Sequence, residues 1–443
     1  MSSVYGGSFI NIAAASARNV HEGCFLKPPD LVAALCARVT INGSSLVRNF
    51  RCYFEYDRSV TGSYLATRAW TYQEKLLPPR TIHFGNRGAF WECRAKIANE
   101  FLPDGFLSEF PDVNLMSVQS RRYFNFWWTH VVQFYSAANL TFESDKLPAI
   151  SGVARRCYNE TGRRYLAGMW REGLGEQLCW RVGKPRKRPP WCAPSWSWAS
   201  INGQVHFTGR VRLQTKRSDI YNDAYLHVVD AKTTFLDGDP FGAVTGGSLH
   251  ITCTGLLLAQ LVEERTVKLE LDNENLEGTR EFHFMPDCLD DDMSGIVCLL
   301  PVFGGRSGRS HMRGDNGKEE EDDDDDDEDD DDDDNDGKHG SNKKNREQSN
   351  RDYDNQESGQ DEHQRIHVLE ICGIVLRKTD DGVGQFRRIG MFELWKNKPN
   401  REDLYECFLS AFKQHGSKIG KAVCAEVVEN PAYPDEKYAI SII

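Results

Sequence analysis

Residues 306–364 consist of Gly, Ser, Asp, Asn, Lys and their like with almost no apolar side chains, and 319–334 reads EEEDDDDDDEDDDDDD. Such a segment cannot bury enough surface to offset the entropy of ordering it, so it is expected to be disordered. Its flanks constrain the fold further. From Trp191 to about Phe303 the chain runs in short alternating stretches such as LHITC at 249–253, where Leu249, Ile251 and Cys253 share a face. IHVLEICGIVLRK (366–378) and FRRIGMFEL (386–394) continue the pattern beyond the segment. Recurrent period-two runs predict antiparallel strands, here one sheet interrupted by an insertion.

The acidic run also explains the charge. The net value is −12, yet 319–334 alone holds sixteen acidic side chains, and without them 54 basic face 50 acidic residues. The rest is close to neutral, so no global field recruits nucleic acid. Homopolymeric Asp reads first as a tolerated low-complexity insertion and second as a contact for a basic protein. Thirteen cysteines without a CxxC pair argue against a zinc ribbon or a disulfide framework, and read as buried thiols of a reducing compartment. AAASA at 13–17 resembles a signal-peptidase site but lacks a basic and an apolar region before it. No apolar run is long enough to span a bilayer. A cytoplasmic protein is expected, with a nuclear one as the alternative, without membrane or sequence-specific nucleic-acid partners.

Ahead of the strands the pattern is mixed. Phe9 to Ala14 reads as a buried strand, and the aromatics of RCYFEYDRSV as a strand or a loop. Leu65, Ala69, Tyr72 and Leu76 share a helical face, and Pro78-Pro79 ends that helix. Arg80–Phe84 and Ala89–Cys93 read as a hairpin through Gly85-Asn86-Arg87-Gly88, since glycine and asparagine tolerate positive φ. A helix over 117–140 carries Tyr123, Trp127, Val131 and Phe134 as a stripe, with Ser117 or Ser120 as caps. Further helices are expected from Leu147, with Pro148 in the first turn, and near Met169–Trp180. The expected divisions are 1–80, a hairpin and helical region at 81–190, a β region at 191–305, the insertion at 306–364, and the β continuation with a C-terminal segment at 365–443.

Chemistry concentrates in TRAWTYQEKLLPPRTIHFGNRGAFWECR (67–94), which gathers Arg68, Glu74, Arg80, His83 and Glu92 in one helix-hairpin unit. A glutamate amid arginine and aromatics is a candidate catalytic carboxylate, against the blander reading that Glu74 pairs with an arginine and Trp70, Tyr72 and Trp91 are core. Cys93 reads as a buried strand thiol more readily than as a nucleophile. In APSWSWAS (193–200) a strand would put Trp196 and Trp198 on one face and Ser195 and Ser197 on the other, with no glycines for a hydrolase elbow. Asp145 and Lys146 sit at a helix start, where capping accounts for the Asp. KPRKRPP (184–190) suits a solvated loop, or a nuclear-localisation or anion-binding patch. No phosphate-loop, dinucleotide or metal-binding pattern is present, and no cofactor is expected.

SVYGGSFINIAAASA (3–17), TRAWTYQEKLLPPRTIHFG (67–85), FWECR (90–94), SDKLPAISGVA (144–154), YLAGMW (165–170), APSWSWAS (193–200) and QFRRIGMFEL (385–394) together resemble the heterokaryon incompatibility (HET) domain family of filamentous fungi. The resemblance implies an α/β domain distantly similar to Toll/interleukin-receptor (TIR) domains, followed by the helical and antiparallel β regions. It implies a signalling or interaction module with protein partners, acting in nonself recognition and programmed cell death. Because some TIR domains cleave NAD, it also implies an alternative as an NAD-hydrolysing enzyme, with Glu74 as the catalytic candidate. Family segments resembling LSYxWG and WIDxLCIxQ are absent from the sequence, so a HET domain truncated at its N-terminus is expected, 1–80 being its C-terminal portion. An inactive paralogue is the third reading.

Overall fold

The structure is a computed structural model that describes residues 2–443 apart from 25–34, 42–43, 51–55, 101, 107–120, 209–221, 263–264, 272–277, 292–293, 309–366, 381, 397–401, 425, 428–434 and 436. The chain divides into one unit of Met1–Ser307 with Val368–Ile443 and another of Gly308–His367. The second lies almost wholly outside the described residues, as do the expected disorder of the acidic insertion and the caps Ser117 and Ser120. The strand Gly295–Gly308 runs a short way into the range expected for the insertion. The first unit mixes helices with several sheets and has a strand-rich C-terminal region.

Its N-terminal sheet has five strands in the order Asn11–Ala13, Arg80–Gly85, Gly88–Cys93, Ile97–Asn99, Leu102–Phe106. The first pair is parallel and the rest are antiparallel. The expected buried strand at Phe9–Ala14 is shorter and at the sheet edge, with Phe9 and Ile12 exposed. The hairpin turns through Asn86-Arg87, with Gly85 paired to Gly88. Only Gly88 takes positive φ there, at 119°, while Asn86 instead accepts a hydrogen bond from Ser59 Oγ at 3.1 Å. The predicted Leu65–Leu76 helix is in two pieces, a 3-10 turn Leu65–Thr67 and a helix Trp70–Leu76. Arg68 is extended between them because the backbone at Thr67 and Ala69 hydrogen-bonds both sides of Asn139. Periodicity cannot register such a partner.

The helix Arg121–Ala137 buries Trp127 and Val131 of the expected stripe and leaves Phe134 half-buried, while the neighbouring Phe124, Trp128 and Tyr135 are buried more deeply. Pro148 opens a 3-10 turn that leads into the helix Ser151–Thr161. The expected helix at Met169–Trp180 is instead a short strand Met169–Trp170, one turn of helix Leu174–Gln177 and a strand Trp180–Val182. Gly168 and Gly173, at φ 94° and 83°, break it. The expected APSWSWAS strand is a turn followed by a 3-10 helix Trp198–Ser200, and Trp196, Trp198 and Ser197 are all buried. Trp198 Nε1 and Trp128 Nε1 both donate to Gly168 O, at 2.7 and 3.0 Å. A Cβ on Gly168 would sit 2.9 Å from the Trp198 indole, so glycine is required there for space as well as for φ. Two motifs far apart in the chain thus fold as one indole-to-backbone lock.

The C-terminal region is a sheet of twelve strands among the described residues. The strands flanking the acidic insertion, Gly295–Gly308 and His367–Lys378, are neighbours in it. In His367–Lys378, Cys372, Ile374 and Leu376 enter the main core with the tryptophans, while Ile371 and Val375 face a second core under the helix Glu402–Val423. Cover on both faces explains the nearly continuous apolar run of this strand. Phe392 lies so close to Gly373 that a Cβ would meet its ring at 2.3 Å.

Candidate functional site

The signature segment does not pack solid. Between the five-stranded sheet, the Trp70–Leu76 helix and the Arg121–Ala137 helix lies a cavity of about 640 Å³. Thr71, Tyr72, Glu74 and Lys75 from the short helix border it, with His83, Glu92 and Cys93 from the hairpin and Trp127, His130 and Phe134 from the long helix. This is the size of a small-ligand pocket, apolar with a few convergent polar groups.

The hairpin sets the polar end. Thr81 is opposite Glu92 and His83 opposite Phe90, so all four share one face of the ribbon. His83 and Glu92 are then diagonal neighbours, which long side chains can bridge. Glu92 Oε2 meets His83 Nε2 at 2.7 Å and accepts from Tyr56 Oη at 2.5 Å. Tyr56 stands edge-on to both His83 and Phe90, and Lys75 Nζ lies 5.2 Å above its ring centre. The His83 side chain is 4% exposed and that of Glu92 24%, the latter opening on the cavity.

Burial alone would push the Glu92 carboxyl up, but Lys75 nearby and the bonds from His83 and Tyr56 outweigh it and bring it down to about 2. Burial, and then the Glu92 charge, push the Tyr56 hydroxyl well up, so it stays a donor. Glu92 is thus a fixed anion at neutral pH. It is too acidic for efficient proton transfer, but suited to orienting His83 or facing a developing positive charge.

Glu74 borders the same cavity from the helix, outside the Tyr56–Glu92–His83 network. Its backbone carbonyl accepts from Asn11 Nδ2 at 3.1 Å, and its carboxylate interacts with Tyr5. No arginine pairs with it in an ion pair among the described residues; its electrostatic neighbour is a tyrosine. Arg68 and Arg80 are both exposed, and Arg80 lies over the Phe9 ring. Cys93 borders the cavity, half-buried rather than buried as expected, and its thiol bonds Lys96 O at 3.5 Å. Burial raises its pKa, but backbone hydrogen bonds from Ala95 and Lys96 and a bond at Trp91 bring it below the ordinary thiol value.

The structure gives the other candidates structural work. Asp145 Oδ2 accepts from Trp70 Nε1 at 3.1 Å and caps no helix. Lys146 is buried, with its ammonium on Ile201 O and on Asn202 Oδ1 at 2.7 Å. Burial lowers its pKa. Ser195 donates to Ile443 O and Ser197 to Ala167 O, so neither hydroxyl is free to act as a nucleophile. In the basic loop Lys184, Arg186 and Lys187 are exposed, whereas Arg188 makes a bidentate pair with Asp291 at 2.7 and 3.0 Å. The sequence reading missed Tyr56 and Lys75 as site residues. Tyr56 comes from RCYFEYDRSV, which reads as a strand or a loop and lies outside the signature, though Lys75 directly follows Glu74 within it.

Comparisons with known protein families, with curated proteins and with solved structures found no match. No helix among the described residues is long and apolar enough to cross a membrane.

Proposed function

We propose that this chain is a HET-family protein, a signalling module of fungal nonself recognition and programmed cell death, and that its signature segment builds the pocket through which it works. One observation carries the reading. Residues of TRAWTYQEKLLPPRTIHFGNRGAFWECR line a cavity, with a charged side chain held ionised at its wall, where a purely architectural motif would close on itself. The motifs SDKLPAISGVA, YLAGMW and APSWSWAS support it from behind, as the core on which the long helix rests. Partner proteins, a cytoplasmic or nuclear site of action and a TIR-like ancestry of the N-terminal sheet belong to the same proposal.

Inducible expression in a filamentous fungus tests it. Growth arrest is expected with the wild-type chain, and Glu92→Gln at equal protein level is expected to relieve it. Normal growth at confirmed wild-type levels would overturn the reading. A second reading, NAD hydrolysis, draws on the presence of two glutamates, Glu74 and Glu92, among the residues that border one pocket. Purified protein then depletes NAD, and Glu74→Gln abolishes the loss while leaving the fold intact. Absence of turnover by folded wild type removes the enzymatic reading and leaves the signalling one standing.

A further inference from the structure

A second polar cluster lies in the large sheet, and the function above makes no use of it. Glu370 and Cys372 are two apart on the strand His367–Lys378 and so share a face. Cys372 is in register with Glu393 of the strand Gln385–Trp395, which brings that side chain alongside on the same face. Two carboxylate oxygens and one sulfur lie within 4.8 Å of one another. Glu370 is 2% exposed and Cys372 0%, and the face continues into Ile374 and Leu376 of the main core.

Spacing and donor type go together here. Two donors at i and i+2 on a strand, with a third across the ladder, converge from one rigid surface. With bonds of about 2.0 Å to oxygen and 2.3 Å to sulfur, tetrahedral donors stand roughly 3.3–3.8 Å apart. Cys372 Sγ now donates to Glu370 Oε1 at 3.0 Å, a pair that an ion would open slightly, and rotation of the glutamate side chains would draw in the wider separations, which are all within 4.8 Å. A thiolate with two carboxylates selects against Mg²⁺ and Ca²⁺, which take oxygen alone, and suits a borderline divalent ion. Glu393 is half-buried and provides the way in.

We propose that Glu370, Cys372 and Glu393 form a binding site for a divalent cation of the Zn²⁺ class, the fourth position being taken by water. The site is separate from the cavity and does not depend on the function assigned to it.

The test uses the full chain, purified without a metal-affinity step. Metal content is measured by mass spectrometry, and after EDTA dialysis the protein is titrated with Co²⁺. About one equivalent of zinc-class metal is expected, together with a thiolate-to-Co²⁺ charge-transfer band in the near ultraviolet. Cys372→Ser should abolish the band, and Glu393→Gln should weaken Co²⁺ binding by at least about tenfold. Glu92→Gln, in the cavity, should change neither. Trace metal with no band in folded wild type would overturn the site, as would a band that survives Cys372→Ser. If Cys372→Ser does not fold, the wild-type titration and Glu393→Gln decide.

Discussion

Two carboxylates in this molecule, one half-buried and one fully buried, are shifted in opposite directions. Glu92, at the cavity wall, is held down to about 2. Asp287, in the main core, is pushed up to about 6 even though Arg388 lies 3.2 Å away and Arg188 is near. Burial is the largest influence on both, and what differs is the number of groups opposing it. Glu92 has a tyrosine hydroxyl, an imidazole and an ammonium around it, with an opening to the cavity. Asp287 takes one charged contact on Oδ1, and its Oδ2 has no hydrogen-bond partner among the described residues. Arg388 is likewise pushed towards its uncharged form, lowered to about 10 chiefly by burial, with its guanidinium carbon 3.3 Å from the Trp180 ring centre. A buried ion pair that is dry is held for architecture, whereas a buried anion surrounded by donors and facing a cavity is available for chemistry.

The largest effect that could break this contrast comes from the dry pair. Arg388→Met strands Asp287 and should cost about 3–5 kcal/mol in urea unfolding. Arg388→Met with Asp287→Leu should recover most of the loss, and failure to recover would mean that the pair itself stabilises the core. Next comes the pH profile. Asp287 binds its proton more tightly folded than unfolded, so its contribution is fully present below about pH 4 and is lost as pH rises through 6. The decline should be on the order of 2–3 kcal/mol and absent in Asp287→Asn.

Glu92 has the opposite sign. Its stabilisation is present above about pH 4.5 and lost as pH falls towards 2. Glu92→Gln should therefore cost about 1–3 kcal/mol near neutrality, with the gap to wild type closing in acid. A gap independent of pH would show that the carboxylate charge is not what the network holds. The smallest effect is expected for Glu74→Gln, within about 0.5 kcal/mol by thermal unfolding, because its carboxylate lies outside that network. Any loss of biological output in that variant would then report the pocket rather than the fold.

Elements with a local cause were legible before the structure. The double proline after Leu77, the glycines around Asn86-Arg87 and the stripe through Trp127 and Val131 each act over a few residues. The breaks at Arg68 and at Met169–Trp180 were not legible, since one answers to Asn139 and the other to the seating of Trp198 on Gly168. The candidate site divided in the same way. Glu74, His83, Glu92 and Cys93 could be named because they stand within one motif, while Tyr56 reaches Glu92 from a segment outside that motif, read only as a strand or a loop.

The sequence by itself determined where strands recur, where the hairpin turns, and that a run of acidic residues interrupts the C-terminal region. Periodicity and glycine or proline stereochemistry are properties of neighbours along the chain. Tertiary structure alone decided that the signature segment walls a cavity, that Tyr56, His83 and Lys75 gather around Glu92 and hold its carboxylate strongly depressed, and that Cys372 meets two glutamates. Each of these depends on side chains converging from different strands and helices, and on the loss of water around them, and neither distance in space nor desolvation is written in the order of the residues.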